Sequence, residues 1–276
     1  EKEKRAAELV VANKELEFQN DEKQKRAQEL IIANKDLESF AYISSHDLQE
    51  PLRKIQTFAS LLLKKEQAVL SDKGKVDLSR IQNSASWMQT LIRDLLAYSR
   101  LNSDERKFTN TDLNKIIDEV KGDLQETIEQ KKAIIESTEL CEAYVNPLQF
   151  QQMMHHLIGN SLKFSAPKIR PRIIIKSKYS SGENLKNEVA ASAPDRLIAG
   201  RKYCHITLTD NSIGFEPQYK ERIFGVFQRL HSREKYSGTG IGLAIVKKIV
   251  ENHAGFIAAT GELNQGARFD IYIPSL

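Results

Sequence analysis

A histidine beside an acid, in Ser45-His46-Asp47-Leu48-Gln49-Glu50-Pro51-Leu52, stands nearly two hundred residues before a glycine-rich segment, Gly238-Thr239-Gly240-Ile241-Gly242-Leu243. The first offers a nucleophilic imidazole. Asp47 can accept a proton from one ring nitrogen and make the other a better nucleophile. Glu50 lies one helical turn further along the same face. The second offers bare backbone to phosphates, because glycines let N–H groups approach closely at the start of a helix. A chain carrying both can phosphorylate itself on histidine. Taken alone, a helical histidine is more often decoration than chemistry. The downstream phosphate-binding segment is what favours the catalytic reading.

Three further constellations lie between these two. In His156-Leu157-Ile158-Gly159-Asn160-Ser161-Leu162-Lys163-Phe164, Asn160 and Lys163 are three apart on one helical face. An amide oxygen can ligate Mg²⁺ and an ammonium can meet phosphate. In Asp210-Asn211-Ser212-Ile213-Gly214-Phe215, a carboxylate ends a strand before a turn, where it can accept a hydrogen bond from an adenine amino group. In Ile223-Phe224-Gly225-Val226-Phe227-Gln228-Arg229, two aromatics and an arginine suit a lid over a nucleotide. Each has a plainer reading. Asn160 and Lys163 fit a helix surface, Asp210 a turn cap, and Phe224 and Phe227 a core. The order and spacing of all four segments make joint coincidence improbable.

The elements that position these groups are legible from periodicity. The first forty residues repeat at an offset of 21, three heptads: Lys4 to Glu17 recurs as Lys25 to Glu38. A seam runs Ala6, Leu9, Asn13, Leu16, Asn20, Lys23, Ala27, Leu30, Asn34, Leu37, Ala41. Leucine at most d positions with recurrent asparagine at a favours a parallel two-stranded coiled coil over a solvated single helix. Helical spacing continues through Phe40, Ile43, Leu48, Leu52, Ile55, Phe58, Leu61 and Leu62. Pro51 weakens or kinks the helix just past His46. Ser71-Asp72-Lys73-Gly74 interrupts, and a second amphipathic stretch runs from Leu78 to Tyr98. Two such helices make a hairpin, and two hairpins a four-helix bundle. After a polar linker, Asn102 to Lys107, helices are expected at Thr111–Gln130, Pro147–Lys163, Glu216–Arg222 and Ile241–His253. Strands are expected at Ala133–Ser137, Glu142–Val145, Arg172–Lys178 and Tyr203–Thr209, with a final pair from Ala254 to Ile273. Helices on one side of a mixed sheet fit an α/β sandwich.

Bulk properties fit a soluble chain that is globular or coiled and argue against other classes. The chain has 276 residues, 40% hydrophobic and 28% charged, with a net charge of +4. Its lysines are mixed with glutamates along helices, which argues against a nucleic-acid partner. No run of eighteen apolar residues is present, so no segment is expected to span a membrane. Cys141 and Cys204 lack metal-ligand spacing and are expected to be idle thiols in a reducing, cytoplasmic compartment. The charged helical start without a leader suggests the C-terminal part of something longer.

With these residues in place, the chain resembles the bacterial sensor histidine kinases over essentially its whole length. That family joins a dimerisation and phosphotransfer bundle to a catalytic domain of the gyrase, Hsp90, histidine-kinase and MutL type. The resemblance implies α plus α/β architecture: a signalling coiled coil over 1–39, a dimeric four-helix bundle from the hairpin at 40–102, a linker at 103–110, and an α/β sandwich ATP-binding domain over 111–276. It implies ATP and Mg²⁺ as cofactors, a homodimer, an upstream sensor domain and a response-regulator receiver domain as partners. It further implies that His46 takes the γ-phosphoryl group and passes it to a regulator aspartate. Asn160 then binds Mg²⁺, Lys163 meets phosphate, Asp210 reads adenine, and the lid spans roughly Gly214 to Gly240. The alternative is a dimeric signalling scaffold with weak or no kinase activity. Two departures motivate it: Ser212 where the family usually has glycine, and His156 where it usually has asparagine. Glu50 stands where threonine or asparagine is frequent in kinases that also act as phosphatases. Ser212 is expected to impair nucleotide handling, and Glu50 to limit phosphatase activity.

Overall fold

The computed structural model describes residues 2–66, 69–101, 107–166, 169–188, 198, 200–232 and 235–275. A single long helix, α1 (Lys2–Lys65), carries the repeat and the His46 segment and continues through Pro51. The expected seam falls largely on residues whose side chains lie outside the described residues. Leu16 of that seam is exposed on the single chain. Helix α2 (Asp72–Arg100) begins where Ser71 caps it, the hydroxyl accepting from the Gly74 amide at 3.1 Å. Such a cap contributes about 1 kcal/mol. The two helices pack as a hairpin around Leu52, Ala59 and Ala85, with Gln56 donating to Gln89 across the pair at 3.3 Å. Leu48, Ile55, Phe58, Leu61, Leu62, Ile81 and Met88 remain exposed on its surface. Most of the polar linker, residues 102–106, lies outside the described residues.

The remainder folds around one five-stranded sheet in the order β2-β4-β5-β7-β6. These strands are β2 (Ile134–Ser137), β4 (Arg172–Ser181), β5 (Lys202–Asp210), β6 (Phe256–Glu262) and β7 (Gly266–Pro274). Only β2 runs parallel to its neighbour; the other pairs are antiparallel. A small second sheet pairs β1 (Thr109–Asp112) with β3 (Glu142–Val145). Helices α3 (Leu113–Asp123), α5 (Pro147–Lys163) and α7 (Gly242–Asn252) share a core with the sheet's inward positions. On β5 the run Cys204, Ile206, Leu208 faces this core, while Tyr203 and His205 on the alternate face are buried too. On α7, Ile245, Val246, Ile249 and Val250 are fully buried, and each stabilises the fold by about 1.5–3 kcal/mol.

Differences from the sequence expectations have local causes. The expected helix from Thr111 to Gln130 is two helices, α3 and α4 (Gln125–Lys131), broken at Leu124 after Gly122 and Asp123, two poor helix formers. The expected helix at Glu216–Arg222 is two 3-10 turns, Pro217–Tyr219 and Arg222–Phe224. The Lys220 amide donates to the Pro217 carbonyl and the Gly225 amide to the Arg222 carbonyl, three-residue spacings that close each turn separately. A short polar helix, α6 (Gly182–Glu188), and strand β1 were not anticipated, since neither has an apolar period.

The hairpin and the sheet domain pack together. Leu91, Ala97 and Tyr98 of α2 lie against the sheet domain's core, and Leu101 is buried within it. Asn252 at the end of α7 donates to the Leu101 carbonyl at 2.8 Å. His253 locks the same end: Nδ1–H donates to the Ile249 carbonyl at 2.7 Å, and Nε2 accepts from the Asn146 amide at 3.0 Å. Asn146 in turn caps α5, its side chain accepting from the Gln149 amide.

Candidate active site

A cavity of about 270 Å³ is bounded by α5, the end of β5, the segment leading into α7, and α2. It gathers Asn160, Lys163, Asp210, Gly214, Arg229, Gly238, Thr239, Gly240, Gly242 and Leu243 from four sequence-distant segments. Phe224 and Phe227 do not line it. Phe224 is buried in the core, and Phe227 is 53% exposed with φ of 62°. Asp47 and Glu50 lie on α1 and do not line the cavity either. The His46 side chain lies outside the described residues. Asp47 and Glu50 are exposed, and Glu50 pairs with Lys54 at 2.8 Å.

One end of the cavity is organised by Asp210. Its Oδ1 accepts from the amides of Ser212 at 2.9 Å and Ala267 at 3.0 Å, and its Oδ2 accepts from the Ser161 hydroxyl at 2.5 Å. These contacts fix the carboxylate at the end of β5, where Oδ2 keeps a further lone pair for an incoming N–H donor. Ser161 is a positioning residue that the sequence reading missed. Its partner lies 49 residues away, and no local spacing announces it. The turn after Asp210 needs glycine at Gly214, where φ is +60° and a Cβ would come within 2.0 Å of the Glu262 carbonyl oxygen.

Ser212 departs from what the sequence suggested. It is absent from the positive-φ residues, and its hydroxyl accepts from the Gly214 amide at 3.3 Å. The backbone therefore makes no demand for glycine there. Ser212→Gly is expected to leave nucleotide affinity unchanged and to lower the unfolding midpoint slightly, because glycine widens the unfolded ensemble. Calorimetric titration with thermal denaturation checks this; a clear gain in affinity would show that the serine obstructs the site.

The other end is cationic and rich in backbone. Burial, with Arg229 nearby, holds the Lys163 ammonium below the ordinary lysine value, and an anion would relieve that. Arg229 braces the loop, donating to the Gly238 carbonyl at 3.0 Å and the Tyr236 carbonyl at 2.7 Å. Gly240 has φ of +79°, and a Cβ there would meet the Gln228 carbonyl oxygen at 2.8 Å. The Thr239 hydroxyl donates to the Asp94 carboxylate of α2 at 2.5 Å. Thr90 and Asp94 both line the cavity, a contribution from the hairpin that no short-range pattern reveals.

His156 lies in the same wall, near Gly242. Burial pulls its imidazole below the ordinary histidine value, the Asp94 carboxylate opposes this, and His155 adds to the lowering. The folded chain then binds fewer protons than the unfolded chain as pH falls through about 6.5. The stability is present above that pH and is lost below it. The unfolding midpoint is expected to decline as pH falls below about 6.5, less steeply in His156→Asn. Equal slopes in the two proteins would show that His156 is not the titrating group.

Two family descriptions match the chain. "His Kinase A (phospho-acceptor) domain" covers residues 36–104, and "Histidine kinase-, DNA gyrase B-, and HSP90-like ATPase" covers residues 145–276. The chain belongs to the sensor histidine kinases. The first match includes His46 and α2 with Asp94; the second includes the whole cavity wall outside α2. Among curated relatives, the phytochrome-like protein Cph1 of Synechocystis sp. is 35% identical over 237 residues, 86% of this chain and 29% of that protein. Cyanobacterial phytochrome A of Nostoc sp. is 36% identical over 237 residues, 86% of this chain and 28% of that protein. The methanogenesis regulatory histidine kinase FilI of Methanothrix harundinacea is 28% identical over 83% of this chain and 24% of that protein. The chain thus spans less than a third of the length of these relatives. Among solved structures, ShkA in complex with AMPPNP shares the fold, with a TM-score of 0.59, 22% identity, and coverage of 85% of this chain and 45% of that one. No helix of the described residues is long and apolar enough to cross a membrane.

Proposed function

We propose that this histidine kinase chain autophosphorylates His46 from ATP and passes the phosphoryl group to an aspartate on a response-regulator receiver domain. One observation carries the reading. The cavity that combines Asn160, Lys163, Arg229 and a glycine cradle is hydrogen-bonded, through Thr239 and Asp94, to the hairpin bearing His46. The hairpin's register supports transfer. Gln56 lies opposite Gln89, so stepping back to His46 on α1 corresponds to stepping forward to Ser99 on α2. Asp94 is five residues short of that level, about 7.5 Å along the axis.

In this reading ATP supplies the γ-phosphoryl group and Mg²⁺ neutralises its charge. The donor set fits such a metal. Mg²⁺ commonly takes one or two protein oxygens and completes its shell from phosphates and water, and the Asn160 amide oxygen is available as that ligand. Asp210 holds the adenine amino group through Oδ2. Lys163 and the glycine amides bind the phosphates. The His46 imidazole forms a bond to the γ-phosphorus as the bond to the ADP oxygen breaks, and Asp47 takes the proton from the other ring nitrogen. The exposed apolar face of the hairpin, with Ile55, Phe58, Leu62 and Ile81, would be covered by a second copy in a four-helix bundle. Incubation with γ-labelled ATP tests the reading. Label on the protein supports it, and an unlabelled chain that still binds nucleotide would leave a scaffold role.

Glu50 bears on the fate of the regulator's phosphate after transfer. It lies one turn from His46, where a water attacking the regulator's acyl phosphate would be oriented. A carboxylate there repels the phosphoryl group, and its exposed pair with Lys54 is too weak to mask it. The chain is expected to dephosphorylate its regulator slowly, and Glu50→Thr to raise that rate. Rapid loss of regulator phosphate in the wild type, unchanged in Glu50→Thr, would show that Glu50 does not set the balance.

A further inference from the structure

The hairpin places Thr90 and Asp94, one helical turn apart, in the wall of the nucleotide cavity. Thr239, the residue Asp94 touches, stands between two glycines of positive φ, Gly238 at 137° and Gly240 at 79°. Its hydroxyl accepts from the Ile241 amide at 3.4 Å and donates to Asp94 at 2.5 Å. A hydroxyl has one hydrogen to give. A phosphate oxygen arriving at this loop needs the same hydrogen, and it brings negative charge beside the Asp94 carboxylate. The contact lies away from bulk water on the loop side, since Thr239 is 7% exposed, so the repulsion is weakly screened.

We propose that Asp94 is a hairpin-borne component of the nucleotide site that competes with the nucleotide's phosphates for Thr239. This rests on the reading of the cavity as the ATP site. The phosphate loop is then either held on α2 or engaged with nucleotide. Nucleotide entry releases the sheet domain from the Asp94 anchor, which lies about five residues short of the His46 level. The α2 packing through Leu91 and Tyr98 remains. Asp94 thereby sets the affinity for nucleotide and couples its binding to the freedom of the domain that must deliver the phosphoryl group. Nothing in the local sequence around Asp94 announces this role, because the contact spans 145 residues.

The test is calorimetric titration of the full chain with AMPPNP and Mg²⁺, in wild type, Asp94→Asn, Thr239→Val and the double variant. Asparagine keeps the shape and removes the charge. Asp94→Asn is expected to bind about tenfold more tightly, the scale of one lost charge-assisted competition. In the Thr239→Val background the same change should gain clearly less, since the shared hydrogen is gone. Unchanged or weaker binding by Asp94→Asn, in a protein that unfolds at the wild-type temperature, overturns the inference while leaving the ATP site intact. A wild type that binds no nucleotide overturns both. A drop in His46 labelling with an unchanged dissociation constant would make Asp94 a docking residue only, and would also overturn the competition.

Discussion

His46→Gln is expected to abolish phosphorylation of the chain while leaving nucleotide affinity at the wild-type value. Glutamine keeps helix propensity and polarity and lacks a ring nitrogen able to form the phosphoramidate. The described residues that line the cavity come from α2 and the sheet domain, so the nucleotide site should not feel the change. The other histidines have structural positions. His155 and His156 lie on α5, His205 pairs with Asp270 at 2.8 Å, and His253 is fixed between Ile249 and Asn146. His231 lies in the cavity wall itself. Incorporation from γ-labelled ATP, read beside a binding isotherm, checks the assignment. Label at the wild-type level in His46→Gln would move the acceptor elsewhere.

The second large effect concerns Asn160. Phosphoryl transfer depends on positioning and on neutralising developing charge. Asn160 lines the cavity together with Lys163 and Arg229, while the other lining amide, Gln228, has its oxygen engaged by Arg222. Among the described residues no cluster of three histidine, cysteine or acidic side chains offers a ready-made metal site. Asn160→Ala is expected to slow autophosphorylation by about a hundredfold or more, the range seen on removing a main electrostatic contact. The domain should stay folded, since the position lies in the cavity wall and outside the core of α5. A labelling rate near that of the wild type would remove Asn160 from the metal site.

How much of this was legible beforehand depends on the range of each interaction. Asn160 and Lys163 are separated by one turn, and the glycines at 238, 240 and 242 by single residues, so their grouping is written locally. The long helices were legible for the same reason, because α1 and α2 carry sustained apolar spacing. Helix α6 and strand β1 are short and polar, and β1 pairs with β3 some thirty residues further on. Phe224 and Phe227 share a motif, yet the sequence did not show that one would turn inward to the core and the other outward at a left-handed φ. Ser161 and Asp94 act through contacts spanning 49 residues or more, and residue type alone does not reveal them. The concern over Ser212 came from the absence of glycine; the turn proved to place its φ demand on Gly214 instead.

The most direct measurement is incubation of the 276-residue chain with γ-labelled ATP and Mg²⁺, then acid and alkali treatment of the recovered protein. The account predicts label on the protein that is lost in acid and kept in alkali, as a phosphoramidate on His46 requires. Label that survives acid, or label found only as free phosphate, would contradict it.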